Sequence, residues 1–344
     1  MYRFTSDYTE GCHPQILQRL VETNMDQTNG YGEDPYCDEA KELIKAYFHC
    51  PEAHVQLLVG GTQTNETIIC AALRPHQAVL AAVTSHVNTH EAGAIEHQGH
   101  KVLELPTDDG KLTAKQIKAA WEKYDTDPNR AHWAQPKMVY ISQPTETGSM
   151  YYRHELEAIY KVCQEAGLYL FVDGARLGYS LGAPDNDITP EVLAKNCDVF
   201  YIGGTKCGLM FGEGVVMLNK ELFPDFFSIA KQNGAIMAKG RLLGVQFGEA
   251  FKNNLYVDIC RHAVEQALEI RDAAVAQGLK VYAPSPTNQQ FFIFTKEQLA
   301  KLSESFVLSP TELLDDGTIV ARICTSWATK DEEVAKLIAA IKEL

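Results

Sequence analysis

Two apolar runs in the chain end in residues that can do chemistry. Phe171-Val172-Asp173-Gly174-Ala175-Arg176 places an acid at the end of a strand-like segment and an arginine about one turn further on. Phe200-Tyr201-Ile202-Gly203-Gly204-Thr205-Lys206 places a lysine just beyond another. A third run, Val55–Val59, passes into Gly60-Gly61-Thr62-Gln63-Thr64-Asn65 and then a helical pattern. Ligands of open α/β sheets bind outside the carboxyl ends of the strands. One rim of such a sheet would therefore carry an anion cradle, an acid, an arginine and a lysine.

Those four parts suit pyridoxal phosphate. Its phosphate needs backbone N–H groups at a helix N-terminus, which Gly61 and Thr62 can supply. Its pyridine nitrogen needs a carboxylate, Asp173, to stay protonated and act as an electron sink. Its aldehyde needs an amine, Lys206, made nucleophilic by burial and cationic neighbours. Singly, each part has an ordinary explanation: a tight strand–helix turn, a capping aspartate, a surface lysine. The Gly-Gly-Thr loop is not a Walker motif, because no Gly-Lys-Ser/Thr follows it. His86 and His90 could share a metal on one helix face, but no third ligand is evident, so no metal is expected.

The elements that must position these residues alternate between strand and helix, the pattern of parallel strands joined by crossover helices. Strands are expected at Val55–Val59, Ala78–Val83, Lys101–Leu105, Met138–Ser142, Tyr169–Asp173, Val199–Gly203 and Val215–Leu218. Helices are expected at Asn65–Leu73, Thr113–Lys123 and Arg153–Ala166, the last stopped by Gly167. After about Gly240 the texture changes to a long helical region, Leu242–Gln277. Strands near Gln290–Phe294 and Val320–Thr325 and a closing helix, Lys330–Leu344, follow it. The expected organisation is an N-terminal arm (1–30), a large cofactor-binding domain (31–245) and a small α+β domain (246–344).

Composition narrows the function class. The 344 residues carry 31 Lys+Arg against 45 Asp+Glu, a net charge of −14. That balance argues against nucleic acid or an anionic membrane as partner. No apolar run approaches the length of a membrane span, and the first residues lack a signal peptide's apolar core. The nine cysteines, without CxxC spacing, read as reduced thiols. A cytoplasmic protein is expected.

The sequence resembles the threonine aldolase/β-eliminating lyase family of pyridoxal phosphate enzymes over nearly its whole length. The matching segments include Ser6-Asp7, Tyr31-Gly32-Glu33-Asp34-Pro35, Gly61-Thr62-Gln63-Thr64-Asn65, Ser85-His86 with Glu91-Ala92-Gly93, and Val320-Ala321-Arg322. The most specific pair is Asp173-Gly174-Ala175-Arg176 with the downstream Thr205-Lys206. The resemblance implies the aspartate aminotransferase-like α/β fold (fold type I). It implies that Lys206 binds the cofactor through a Schiff base, that Asp173 pairs with its ring nitrogen and that Gly61 and Thr62 hold its phosphate. His86 would stack on the ring, while Ser6, Arg176 and Arg322 would hold the substrate carboxylate, Arg322 as a bidentate fork. Arg241 is the expected phosphate cation lent to a neighbouring subunit, and His132 falls near a substrate-facing histidine. His86 or His132, or a water held by them, would serve as base. A homodimer or homotetramer with shared active sites is implied.

Two departures stand out: Thr205-Lys206-Cys207 where the family often has Ser-Lys-Gly, and Gln143-Pro144-Thr145-Glu146-Thr147-Gly148 where many members have Glu-Asn-Thr-His-Asn-Gly. The second resembles the branch with phenylserine aldolases. Tyr140, Tyr151 and Tyr152 read as packing residues. The expected activity is retro-aldol cleavage of a small β-hydroxy-α-amino acid of the threonine, allo-threonine or phenylserine type to glycine and an aldehyde. β-Elimination on the same scaffold is the alternative. A purely binding or regulatory role is disfavoured by the presence of Lys206, Asp173 and both arginines.

Overall fold

A computed structural model describes all 344 residues. Seven strands form the central sheet, in the spatial order His54–Leu58, Glu213–Met217, Val199–Gly203, Tyr169–Asp173, Gln135–Ser142, Gln77–Ala82, Lys101–Leu105. Neighbouring strands from Val199–Gly203 to Lys101–Leu105 run parallel, and Glu213–Met217 is antiparallel to both of its neighbours. Both faces of the sheet are covered, so a strand such as Val199–Gly203 is buried along its whole length rather than alternating. Alternate side chains still separate the two cores. Val172, Phe200 and Ile202 pack on one face, and Phe171, Val199 and Tyr201 on the other.

The smaller part is a four-stranded antiparallel sheet in the order Ser309–Leu313, Ile319–Cys324, Gln289–Phe294, Lys280–Ala283. The expected arm does not stand apart. Tyr2–Arg3 pairs in parallel with Phe306–Val307, and Phe4 is buried in the small-domain core. Cys12 and Ile16 join the large-domain core. The polar composition of this segment hides a few apolar anchors that suffice to dock it.

The single helical region expected over Leu242–Gln277 is two helices, Arg241–Phe251 and Leu255–Ala276. They break at Lys252–Asn254, where Asn253 and Asn254 have φ of 54° and 62°. Asparagine is among the few residues that enter this left-handed region readily, so the break is local. Leu255–Ala276 then packs on Leu177–Gly182 from the large domain and on the closing helix Asp331–Lys342, clamping the two parts together beside the carboxyl ends of the large sheet.

Candidate active site

Asp173 ends one strand, Ser142 ends the strand beside it, and Lys206 follows Val199–Gly203 on the other side. The loops leaving these strands cross at almost no separation. A Cβ on Gly174 would lie 1.9 Å from the Tyr201 carbonyl oxygen, and one on Gly203 would lie 2.1 Å from that of Ala175. Only glycines permit the crossing, which the Gly203 N–H seals by donating to the Gly174 carbonyl at 2.8 Å.

Asp173 is almost fully buried. Its Oδ1 accepts the Ala175 N–H at 2.9 Å, and its Oδ2 accepts from Asn65 Nδ2 at 3.1 Å and from the Tyr140 hydroxyl. Asn65 also donates to Glu91 Oε1 at 2.7 Å, and that oxygen meets His86 Nδ1 at 2.8 Å. Burial pushes the Glu91 carboxyl upward, against the opposing hydrogen bonds from His86 and Asn65. The His86 backbone N–H donates to Glu146 Oε1 at 2.9 Å, where the Ser142 hydroxyl also donates at 2.7 Å. One continuous acidic wall therefore runs from Asp173 through Asn65, Glu91 and His86 to Glu146.

Lys206 lies opposite. Burial lowers its pKa, the nearby Arg176 charge lowers it further, and Asp7, Asp173 and Glu213 oppose both. This favours the neutral amine that a nucleophilic lysine needs. Behind it, Glu213 accepts from the Thr205 hydroxyl at 2.8 Å and the Gly204 N–H at 3.1 Å, and burial pushes its carboxyl up to about 8.

Two arginines form the far wall. Arg176 donates from Nε and Nη2 to the two oxygens of Asp7 at 2.7 and 3.0 Å. Arg322 donates from Nη1 to Gln289 Oε1 at 3.0 Å and from Nη2 to the Thr5 carbonyl at 2.7 Å. Both guanidinium groups are thus held by the segment Thr5–Asp7. Burial alone would raise the Asp7 carboxyl, but Arg176 overrides it and holds Asp7 below the usual carboxylate range.

These groups surround two adjoining cavities of about 450 and 560 Å³ that share His86, His90, Glu146, Arg176 and Lys206. The inner one is floored by Gly60, Gly61 and Thr62, at the start of the helix Gly61–Ala72. That helix has no side-chain cap. Its first N–H groups are left for a ligand, and a Cβ on Gly60 would touch no protein atom within 4 Å.

The β-eliminating lyase family model matches residues 3–297. A threonine aldolase of Leishmania major is 43% identical, covering 100% of this chain and 99% of that one with a TM-score of 0.97. The chain belongs to the β-eliminating lyase family. A low specificity L-threonine aldolase of Pseudomonas aeruginosa is 28% identical over 99% of this chain and 97% of its own. An aspartate aminotransferase of Thermus thermophilus, 17% identical with a TM-score of 0.72 over 100% of this chain and 91% of that one, shares the fold.

Pyridoxal phosphate is the cofactor of this lyase, and the residues of the pocket fit the group. The uncapped helix start would take its phosphate, the buried carboxylate supported by three donors would pair with its ring nitrogen, and the buried lysine would take its aldehyde. Lys206, Asp173, Gly61, Thr62, His86 and Arg176 all line the inner cavity, and Arg322 lines the outer one.

Other expectations need correction. His132 lies in the turn Arg130–His132 before the amino end of the strand Gln135–Ser142. It lines a separate, largely apolar cavity of about 640 Å³ with Trp133 and Tyr124; the eight-residue strand separates it from the site at Ser142. Arg241, expected to serve a neighbouring subunit, is not among them: it lies outside the cavities of its own chain, and its guanidinium donates to the Thr23 and Asn24 carbonyls at 2.7 and 3.0 Å. Ser6 is buried and lines neither cavity; its neighbours Thr5 and Asp7 hold the arginines. Arg322 is not a free fork, since two of its nitrogens are already bonded. Tyr140, expected only to pack, donates to Asp173.

Sequence reasoning also left Asp7, Asn65, Glu91 and Glu146 without roles. The first three lie inside quoted motifs; Asp7 meets Arg176 and Asn65 meets Asp173 from distant segments, whereas Glu91 meets His86 within its own motif. The signal for Glu146 was the departure from the family's usual segment.

Proposed function

We propose that the protein cleaves small β-hydroxy-α-amino acids of the threonine, allo-threonine or phenylserine type into glycine and an aldehyde by retro-aldol scission of the Cα–Cβ bond. The observation that carries this reading is a pair of adjoining cavities that together hold a buried lysine, the Asp173 carboxylate and two arginines in a chain 43% identical to a threonine aldolase. Pyridoxal phosphate, when bound, supplies the electron sink that accepts the Cα–Cβ electron pair.

The chain's own residues do the rest. Lys206 would hold the cofactor through its amine, a role supported by its burial between Arg176 and the carboxylates. Asp173 keeps the ring nitrogen protonated; Tyr140 and Asn65 fix its carboxylate for this, an electrostatic contribution rather than a proton transfer. Gly61 and Thr62 bind the phosphate. His86, oriented by Glu91, would stack on the ring. The nitrogens of Arg176 and Arg322 left over from their protein partners would bind the substrate carboxylate and so fix the orientation of the scissile bond.

The small α+β part closes the site as a separate domain, and the enzyme works as a cytoplasmic homodimer or homotetramer with shared sites. The family resemblance and nine unpaired cysteines, eight of them buried, support this reading.

The test is purified protein loaded with the cofactor and offered allo-threonine, threonine and phenylserine, with aldehyde and glycine measured together. Stoichiometric aldehyde and glycine are expected. The family's name favours one rival, β-elimination, which would yield ammonia and a keto acid instead.

A further inference from the structure

We propose that Glu146 is the acid–base group that takes the substrate's β-hydroxyl proton, an inference that rests on the aldol-cleavage reading above. Glu146 sits where the chain departs from the family's usual segment and lines both adjoining cavities. Its two oxygens are not equivalent. Oε1 is held by two donors on neighbouring elements, the His86 backbone N–H at 2.9 Å and the Ser142 hydroxyl at 2.7 Å. Oε2 takes no donor from the protein, yet it is not among the fully enclosed polar atoms that lack one. One oxygen is therefore anchored and the other is left to the cavity, the arrangement a carboxylate needs to move a proton without losing its position.

The two histidines on this wall are less well placed. His86 Nδ1 is committed to Glu91, and its ring is stacked 5.4 Å from that of His90 at an interplanar angle of 17°. His90 is exposed at the cavity mouth, with Nδ1 on the Thr89 hydroxyl at 2.5 Å. Glu146 lies deeper. Burial raises its carboxyl above the ordinary range, and Asp173 adds to the effect. The charged and titratable groups around it are Asp173, Tyr140, Tyr151, His86 and Glu91, with His90, Lys206, Arg176 and Arg322 lining the cavities beside it. A base poised nearer neutrality than a surface glutamate matches the working requirement of proton transfer.

The step balances. Glu146 takes the hydroxyl proton, the O–H electron pair becomes the second bond of the aldehyde C=O, and the Cα–Cβ pair stays with the glycine fragment. That fragment gains one proton at Cα, equal to the one lost from oxygen. In the synthetic direction Glu146 returns the proton to the aldehyde oxygen.

The experiment compares the wild-type holoenzyme with Glu146→Gln in two reactions, cleavage of allo-threonine and deuterium exchange of the glycine α-hydrogen. Glycine has no β-hydroxyl. The glutamine keeps a carbonyl oxygen for His86 and Ser142 but cannot accept the proton. Cleavage is expected to fall roughly 100- to 10,000-fold, with glycine exchange and cofactor absorbance unchanged. A protonated-carboxyl infrared band that titrates above the ordinary carboxylate range should be present in the wild type and missing from the variant.

Near-normal cleavage by Glu146→Gln would overturn the proposal. An equal loss of both reactions would also overturn it, marking Glu146 as a positioning residue for His86. Should the variant not fold, the wild type decides alone. Cleavage must lose activity as pH falls through the Glu146 pKa, in a limb that glycine exchange lacks; a shared limb refutes the role. A wild type that exchanges glycine but cleaves no β-hydroxy-amino acid would instead remove the aldol reading itself.

Discussion

The two walls of the cavity are built by opposite means. On the acidic wall, Asp173 ends a strand, Asn65 lies in the helix that follows His54–Leu58, and His86 and Glu91 lie in the segment that follows Gln77–Ala82. The sheet brings these strand ends to one rim, and a chain of hydrogen bonds completes the wall. On the cationic wall the arginines are fixed from far away. Arg176 is held by Asp7, 169 residues distant, and Arg322 by Thr5, 317 residues distant. The carboxyls record the difference. Burial dominates for Glu91 and Glu146 and raises both, whereas the Arg176 charge overrides burial and lowers Asp7. One wall holds carboxyls that burial raises, and the other holds permanent charge.

Beyond Glu146, the largest effect should come from Asp173→Asn on the acidic wall. The amide cannot keep a ring nitrogen protonated, and losing a preorganised electrostatic partner costs about 100- to 1000-fold in turnover. Cofactor should be retained, measured by absorbance, and near-normal kcat would refute the role assigned to Asp173.

Asp7→Asn tests the cationic wall through stability. It leaves Arg176 buried without its counter-charge, at a cost of about 3–5 kcal/mol where a buried pair loses one partner. The sign with pH follows from the lowered Asp7 carboxyl. Its contribution is fully present above the unfolded carboxylate range and is lost as pH falls through the native value. The Tm difference between wild type and variant should therefore shrink on acidification. A constant gap from neutral pH to acid would mean that Asp7 carries no linked charge.

The smallest effect is expected for Arg322→Lys. A point charge replaces a planar fork that is already half used by Gln289 and Thr5. A KM rise of roughly tenfold, about 1.4 kcal/mol, with little change in kcat, is expected from steady-state kinetics. A large kcat loss with unchanged KM would show that Arg322 acts in the transition state instead.

The alternation of strand and helix, the strand-end positions of Asp173 and Lys206 and the glycine loop at Gly61 could all be read along the chain, because each depends on neighbours a few residues away. The break at Asn253–Asn254 could not: two asparagines inside a helical pattern can stay helical or turn left-handed, and packing chooses between them. The N-terminal segment is a similar case. Its polar composition suggested an arm, and it stays out of the large sheet, but where it docks is set by Phe4 and Ile16, which enter two different cores.

By itself, then, the sequence determined the α/β layering, the order of the catalytic strand ends and the chemistry of the lysine and aspartate, since these follow from local periodicity and residue type. Tertiary structure alone decided which polar groups meet. Asp7 on Arg176, Asn65 on Asp173 and the placing of His132 away from the site depend on contacts across the fold, and no spacing in the chain encodes them. The state of each buried carboxyl was decided there too, because desolvation and neighbouring charge exist only once the walls have closed.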